Sequence, residues 1–377
     1  MFSDVPLNHY YCDGLSAGNL EKRKMNRQTG IKKIFHTIVL GVFLLLQASV
    51  CVANDRKVLN VYAYSGFLPD AVIKQFEQET GIQVNHSTYM SNEVLYAKLK
   101  TNMGEGYDVI MPSAYFINRM VSQGLLKKID TGKLKNFKYF DPDFIGKEHD
   151  PRNEYSVPFL WGSTGIVVNK KYHDIKTITR WSDLWHEKYK NDLLSLDDVR
   201  EIFSMALLVL GDSVNDRDPQ HIRAAFDKLK TLMPNIKLFS ADTARSIYID
   251  EDITLGMGWS GDIYLAQQEN ADVTFVYPQE GFVISLDCLA IPKKSRNVDN
   301  AHRFIDFLSR PEIGKQIAME TGFATTNLKA VELLPESARH NPILYPDKET
   351  MKRGHLQLDV GTAASLYEHY FERLKLD

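Results

Sequence analysis

Along most of the chain, short apolar runs alternate with longer stretches in which apolar residues return every three or four positions. "LNVYAY" (59–64) reads as a buried strand. "PDAVIKQFEQET" reads as a helix with Val72 and Phe76 on one face and Gly81 as its C-cap. "IQVNHSTY" is a second strand, and "SNEVLYAKLKTN" a helix opened by Ser91 with Leu95 and Leu99 turned inward. "YDVIMPS" and "YFINRMVSQGLL" repeat the strand–helix pair. This order predicts a mostly parallel sheet with helices on both faces.

The pattern then starts again. "YSVPFLWGSTGIVVNK" (155–170) is strand-rich but interrupted by Gly162 and Ser163. "LLSL" is a strand, "DVREIFSMALLVLG" a helix ending at Gly211, and "PQHIRAAFDKLKTLMP" a helix closed by Pro234. "ITLGMGWSGDIYLAQQ" reads as strand, turn, helix. "GFVISLDCLAIPKK" is a strand feeding one helix, "NVDNAHRFIDFLSRPEIGKQIAME". Two α/β lobes fit this layout, residues 54–162 with 286–331 and residues 163–285 with 332–377. The chain would cross between them near 162, 286 and 331. Ligands of open parallel sheets bind beyond the carboxyl ends of the strands, which singles out the loops "YSGF", "PSAY", "SLDD", "GWSGD" and "SLDCL".

The N-terminal region adds a location. Lys32 and Lys33 precede an apolar run from Ile38 to Leu46, too short to span a bilayer, which takes roughly 20 residues. A basic flank, a short apolar core and Ala53 read as a secretory signal cleaved near Ala53, with Met25 as its natural start. Residues 1–53 would then be extension and signal. A membrane anchor and lipid attachment at Cys51 are the alternatives, and bulky Val50 disfavours the second. The exported chain keeps Cys288 alone, expected as a small buried apolar residue.

A charged fraction of 25% and a hydrophobic fraction of 44% are those of a soluble globular protein. A formal charge of -3 argues against nucleic acid as a partner. There is no phosphate loop, dinucleotide fingerprint, nucleophile elbow or zinc-binding helix.

What stands out is acidic and aromatic. "LLSLDDVREIF" places Asp197, Asp198 and Glu201 at the start of a helix. Asp198 could cap that helix and Glu201 complete a capping box, or the carboxylates could receive a cation. Asp287 follows the strand "FVIS", and Trp259 ends "LGMG" with Asp262 nearby, the latter read as structural. Tyr64 ends the first strand, and Tyr115 follows the third. Such a set suits an organic cation. Carboxylates bind ammonium groups by charge-assisted hydrogen bonds, and aromatic faces add about 0.5–2 kcal/mol each. A metal would prefer a compact oxygen shell. The competing readings are a receptor for another small cationic solute, ferric iron held by tyrosines, and a secreted hydrolase using the carboxylates as acid and base.

At this point the chain resembles the bacterial periplasmic spermidine/putrescine-binding proteins, the substrate receptors of polyamine ABC importers. The resemblance rests on "TGIQVNHSTYMSNEVLYAKLKT", "YDVIMPS", "YSVPFLWG", "DDVREIFSMAL", "LMPN", "LAIP", "FIDFLSRPEIGKQIA" and "DVGTAASLYEHYFERLK", in order, from about Leu59 onward. It implies an α/β, two-lobe periplasmic-binding-protein fold of type II, with mostly parallel sheets and crossover strands as the hinge. It implies a polyamine ligand between the lobes, an inner-membrane ABC permease as partner and a monomer in the periplasm, with no catalytic role, cofactor or metal. Carried over by position, it implies ligand contacts from Asp198, Glu201, Asp287, Trp259, Ser113, Tyr115 and Gln357. The first-strand loop departs from the Trp-Thr-Glu-Tyr of the spermidine receptors, so Tyr64, Ser65 and Phe67 are expected to line the slot while Gly66 removes a carboxylate. Ser285 replaces an expected Trp, and Phe323 a Tyr.

Overall fold

The computed structural model describes residues 58–376. The expected signal up to Ala53, the start at Met25 and Cys51 lie outside these residues. The chain opens with β1 (Val58–Tyr64), α1 (Asp70–Thr80), β2 (Gln83–Tyr89), α2 (Asn92–Asn102), β3 (Val109–Ile110) and α3 (Ala114–Ser122). A long strand follows, β4 (Ser156–Asn169). After it come β5 (Leu193–Ser195), α4 (Val199–Leu210), α5 (Pro219–Leu232), β6 (Ile236–Phe239), α6 (Ala244–Ile249), β7 (Leu255–Trp259), α7 (Ser260–Glu269) and β8 (Val273–Val276). The return begins with β9 (Phe282–Ala290), α8 (Val298–Leu308) and α9 (Pro311–Thr321). The short strands β10 (Ala324–Thr325) and β11 (Gly354–Leu356) precede a last helix, Ala364–Leu376.

Local signals explain most of these boundaries. Gly81 takes a left-handed φ of 67° and its N–H bonds Glu77 O, closing α1. Ser91 accepts a bond from Val94 N and opens α2, whose Leu95 and Leu99 are fully buried. Gly211, with φ 84°, closes α4.

The strands join in the order β2-β1-β3-β9-β4-β7-β5-β6. β1 is parallel to β2 and β3, and β5 to β6 and β7. β4 is antiparallel to β7, β8, β9 and β10, so parallel ladders sit at the two ends and the crossover strands between them. One apolar core gathers Leu59, Val61, Val72, Phe76, Phe304 and Phe307 around the first ladder; the Phe76 ring meets Phe304 edge-on at 4.9 Å. A second gathers Ile166, Trp181, Leu207, Phe226 and Tyr367. Each such buried side chain contributes about 1.5–3 kcal/mol. Cys288 is fully buried in β9, as expected of a small apolar residue.

Three local expectations change. β4 runs unbroken through Gly162 and Ser163, and all its positions are buried. Gly162 is needed because the Phe323 ring lies over it: a Cβ there would sit 3.0 Å from Phe323 Cδ1. Ser163 N donates to Ser260 Oγ at 3.0 Å, tying β4 to α7. The single helix expected after β9 is two, because Pro311 has no N–H to give and its ring pushes Arg310 into extended backbone, with ψ 141°. No turn separates β7 from α7, since Trp259 itself is the N-cap.

Candidate ligand-binding site

The first wall is aromatic. Tyr64 ends β1, and the chain reverses at once, with Phe67 N bonding Tyr64 O and Ser65 N bonding Tyr89 O. Gly66 takes the left-handed φ of 83° that this turn demands. A glycine suits the turn physically, and a side chain there would carry strain. Tyr64 meets Tyr89 edge-on at 5.4 Å and Phe67 at 5.1 Å, and Phe67 meets Phe323 at 5.1 Å. Phe323 is seated on Gly261, where a Cβ would approach its Cγ to 2.7 Å.

The acidic wall begins at α4. Asp198 Oδ1 accepts from Arg200 N at 2.8 Å and from Glu201 N at 3.1 Å, capping the helix. The reciprocal half of a capping box does not form among the described residues. Glu201 is buried and directed instead toward Thr164 of β4 and Trp259. Burial and then the charge of Asp198 raise the Glu201 carboxyl to about 8, while Thr164, Arg200 and Trp259 hold it down. Its Oε2 has no hydrogen-bond partner among the described residues. Burial, followed by Glu93, also raises Asp198. Asp197 turns away to pair with Lys375 at 2.6 Å, so two of the three clustered carboxylates reach the site.

Arg200 is buried beside them, but its guanidinium ties neighbouring loops together. Its guanidinium donates to Leu358 O, Val214 O and Asn215 Oδ1. This holds the segment carrying Gln357, whose N–H bonds Ile284 O at 3.1 Å and whose Nε2 is buried without a partner among the described residues.

Asp287 lies on β9, nine-tenths buried. Ser113 begins α3 without using its hydroxyl as a cap. Its Oγ donates to Asp287 Oδ1 at 2.6 Å and accepts from Asn92 Nδ2 at 3.0 Å. Burial raises the Asp287 carboxyl to about 6, and the Ser113 bond opposes that rise. Tyr115, two residues on, packs its ring against Phe116 at 4.7 Å, and burial lifts its phenol well above the usual range.

Asp262 departs from its structural reading. One residue into α7 beyond Gly261, it faces the same cavity. Burial lifts it to about 6; Arg245 lowers it and Asp242 raises it.

These walls enclose a cavity of about 570 Å³. Tyr64, Ser65, Phe67, Ser113, Tyr115, Asp198, Glu201, Trp259, Asp287, Phe323 and Gln357 all line it. So do Asp262, which the sequence reading took as structural, and Asn92, Asp242, Arg245 and Glu320, which it did not point to. Asp262 had a signal, lying three residues past the strand end Trp259; Asp242 and Arg245 had none. The phenol of Tyr64 is raised by burial and then by Asp242, Asp198, Asp287 and Asp262, which places those charges around one ring. Buried carboxylates with raised pKa values form a site that gains by taking up positive charge. Among the described residues, Asp212, Asp216 and His221 have metal-compatible spacing, but they lie outside the cavity lining.

The sequence pattern of the family described as bacterial extracellular solute-binding protein matches residues 71–344. A spermidine/putrescine-binding periplasmic protein of Escherichia coli (strain K12) is 44% identical over 340 residues, 90% of this chain and 97% of that one. A putrescine-binding periplasmic protein of the same organism is 30% identical, over 84% of this chain and 90% of its own. Among solved structures, a putative spermidine/putrescine ABC transporter from Listeria monocytogenes superposes with a TM-score of 0.80 at 34% identity, covering 85% of this chain and 99% of that one. The two-lobe solute-receptor fold, the matched pattern and these identities agree: the chain belongs to the bacterial extracellular solute-binding proteins, alongside the spermidine/putrescine-binding periplasmic proteins.

Proposed function

We propose that the protein is a periplasmic receptor that binds a polyamine in this cavity and delivers it to an inner-membrane ABC permease. The observation that carries the reading is the set Asp198, Glu201, Asp262 and Asp287 around one aromatic-walled cavity. Its carboxylates bind ammonium groups, and Tyr64, Phe67, Trp259 and Phe323 cover the methylene chain between them. Relatives named for spermidine and putrescine support the same ligand class.

The lobes are residues 54–162 with 286–331 and residues 163–285 with 332–377. They hinge on β4 and β9 and close over the solute. The ligand shifts the population toward the closed form by its differential affinity for it, and that form presents both lobes to the permease. The protein acts as a monomer and performs no chemistry. The segment ending near Ala53 directs export.

Isothermal titration of the exported chain with putrescine, cadaverine, spermidine and spermine tests the reading. Tight binding of at least one is expected, and silence with all four overturns it.

A further inference from the structure

The cavity has two unlike ends. At one, the charge of Asp198 adds to burial in raising the Glu201 carboxyl, and Ser113 holds Asp287. At the other, Asp262 sits beside the Gly261–Phe323 contact, and Phe323 leads through Phe67 to the Gly66 turn, which has no side chain. Besides burial, the charges that act on the Asp262 carboxyl are those of Arg245 and Asp242. Arg245 is the unexpected group. It lies in the first turn of α6, lines the cavity, is exposed, and has no ion-pair or hydrogen-bond partner among the described residues. Asp242 opposes it, but Arg245 has the larger effect on Asp262.

We infer that Arg245 is a charge filter at the Asp262 end of the cavity, which admits one ligand ammonium onto Asp262 and repels a further one, so that the receptor favours diamines over triamines and tetraamines. The inference rests on the polyamine reading of the site. A diamine spans the two ends and satisfies both. An aminopropyl extension carries its extra charge past Asp262 toward the guanidinium. The first-strand turn offers it no carboxylate, because position 66 is a glycine in left-handed backbone. Like charges a few ångströms apart at a partly exposed rim repel appreciably, and the repulsion weakens as salt rises.

Titration of the exported chain and its Arg245→Gln and Arg245→Lys variants with putrescine and spermidine, at low and high salt, decides the matter. Putrescine should bind the unmodified protein the more tightly. R245Q should strengthen spermidine about tenfold and change putrescine less than about threefold, with the gain shrinking in high salt, while R245K keeps the original ranking. A spermidine-to-putrescine ratio that R245Q leaves unchanged overturns the filter even though polyamines bind. Failure of the unmodified protein to bind any polyamine instead overturns the underlying reading, and the filter with it. Tight binding of γ-aminobutyrate that R245Q abolishes would assign Arg245 to a ligand carboxylate, and also overturns the filter.

Discussion

Ser113 Oγ and Asp287 Oδ1 lie 2.6 Å apart, one at the start of α3 and the other on β9, far apart in sequence. The hydroxyl donates to the carboxylate and holds it toward its charged form against burial. Ser113→Ala should therefore weaken polyamine binding about tenfold near pH 6 and far less at pH 8, where Asp287 is ionised without help. Titration at the two pH values checks this. An equal loss at both would make the hydroxyl a ligand contact only. Asp287→Asn should weaken binding more, by about 2–5 kcal/mol at either pH.

Affinity should rise with pH. Glu201 titrates at about 8 and Asp262 and Asp287 at about 6, all lifted first by burial. An ammonium ligand stays protonated through this range, since its ordinary pKa is about 10. Binding near pH 6–7 therefore expels protons from the carboxyls. The apparent binding enthalpy should change with the ionisation enthalpy of the buffer, and a buffer-independent enthalpy at pH 6.5 would contradict the assignment.

The same groups make the ligand-free protein less stable as pH rises. A carboxyl whose folded pKa exceeds its unfolded value holds protons that the unfolded chain releases. Its stabilising contribution is complete below about pH 4 and is lost as pH climbs through 6 for Asp262 and Asp287 and 8 for Glu201. Glu201→Gln removes the buried charge and should raise stability at pH 8.5 by about 1–3 kcal/mol while weakening polyamine binding. Calorimetric melting without ligand measures the first effect and titration the second. A lower melting temperature at pH 8.5 would mean that Glu201 is stabilised by contacts beyond those identified.

Asp198 both caps α4 and lines the cavity, and two substitutions separate the roles. Asp198→Asn keeps a good cap and removes a buried charge, so stability should hold or rise while affinity falls. Asp198→Ala should lose about 0.5–2 kcal/mol of stability as well. Urea unfolding of the ligand-free variants distinguishes them, and equal stabilities would remove the cap from the account.

Gly261 is where the Phe323 ring rests. Gly261→Ala should cost about 1–3 kcal/mol by overpacking and should weaken binding by displacing the ring from the cavity wall. In a Phe323→Ala background the same change should cost little, which a double-mutant cycle reads directly. An undiminished cost would place the strain elsewhere.

Much of the layout was legible because its signals are local. A glycine free to turn left-handed ends α1 and α4, an oxygen side chain opens α2 and α4, and apolar spacing names the inward faces. Resemblance then marked the residues that the structure gathers around one cavity. Misreadings arose where a local signal had two meanings. Gly162 looked like an interruption and is a strand residue under an aromatic ring, while Pro311 looked tolerable within a helix and begins a new one.

By itself, then, the sequence determined the elements, their caps and a set of acidic and aromatic candidates, because these depend on neighbours within a few residues. Only the tertiary structure decided that Glu201 turns toward Thr164 and Trp259 rather than back to its own cap, that Asp197 leaves the site for Lys375, and that Asp262 and Arg245 enter it. Charge and burial at a site depend on which distant strands and loops the sheet brings side by side, and no short stretch of chain encodes that.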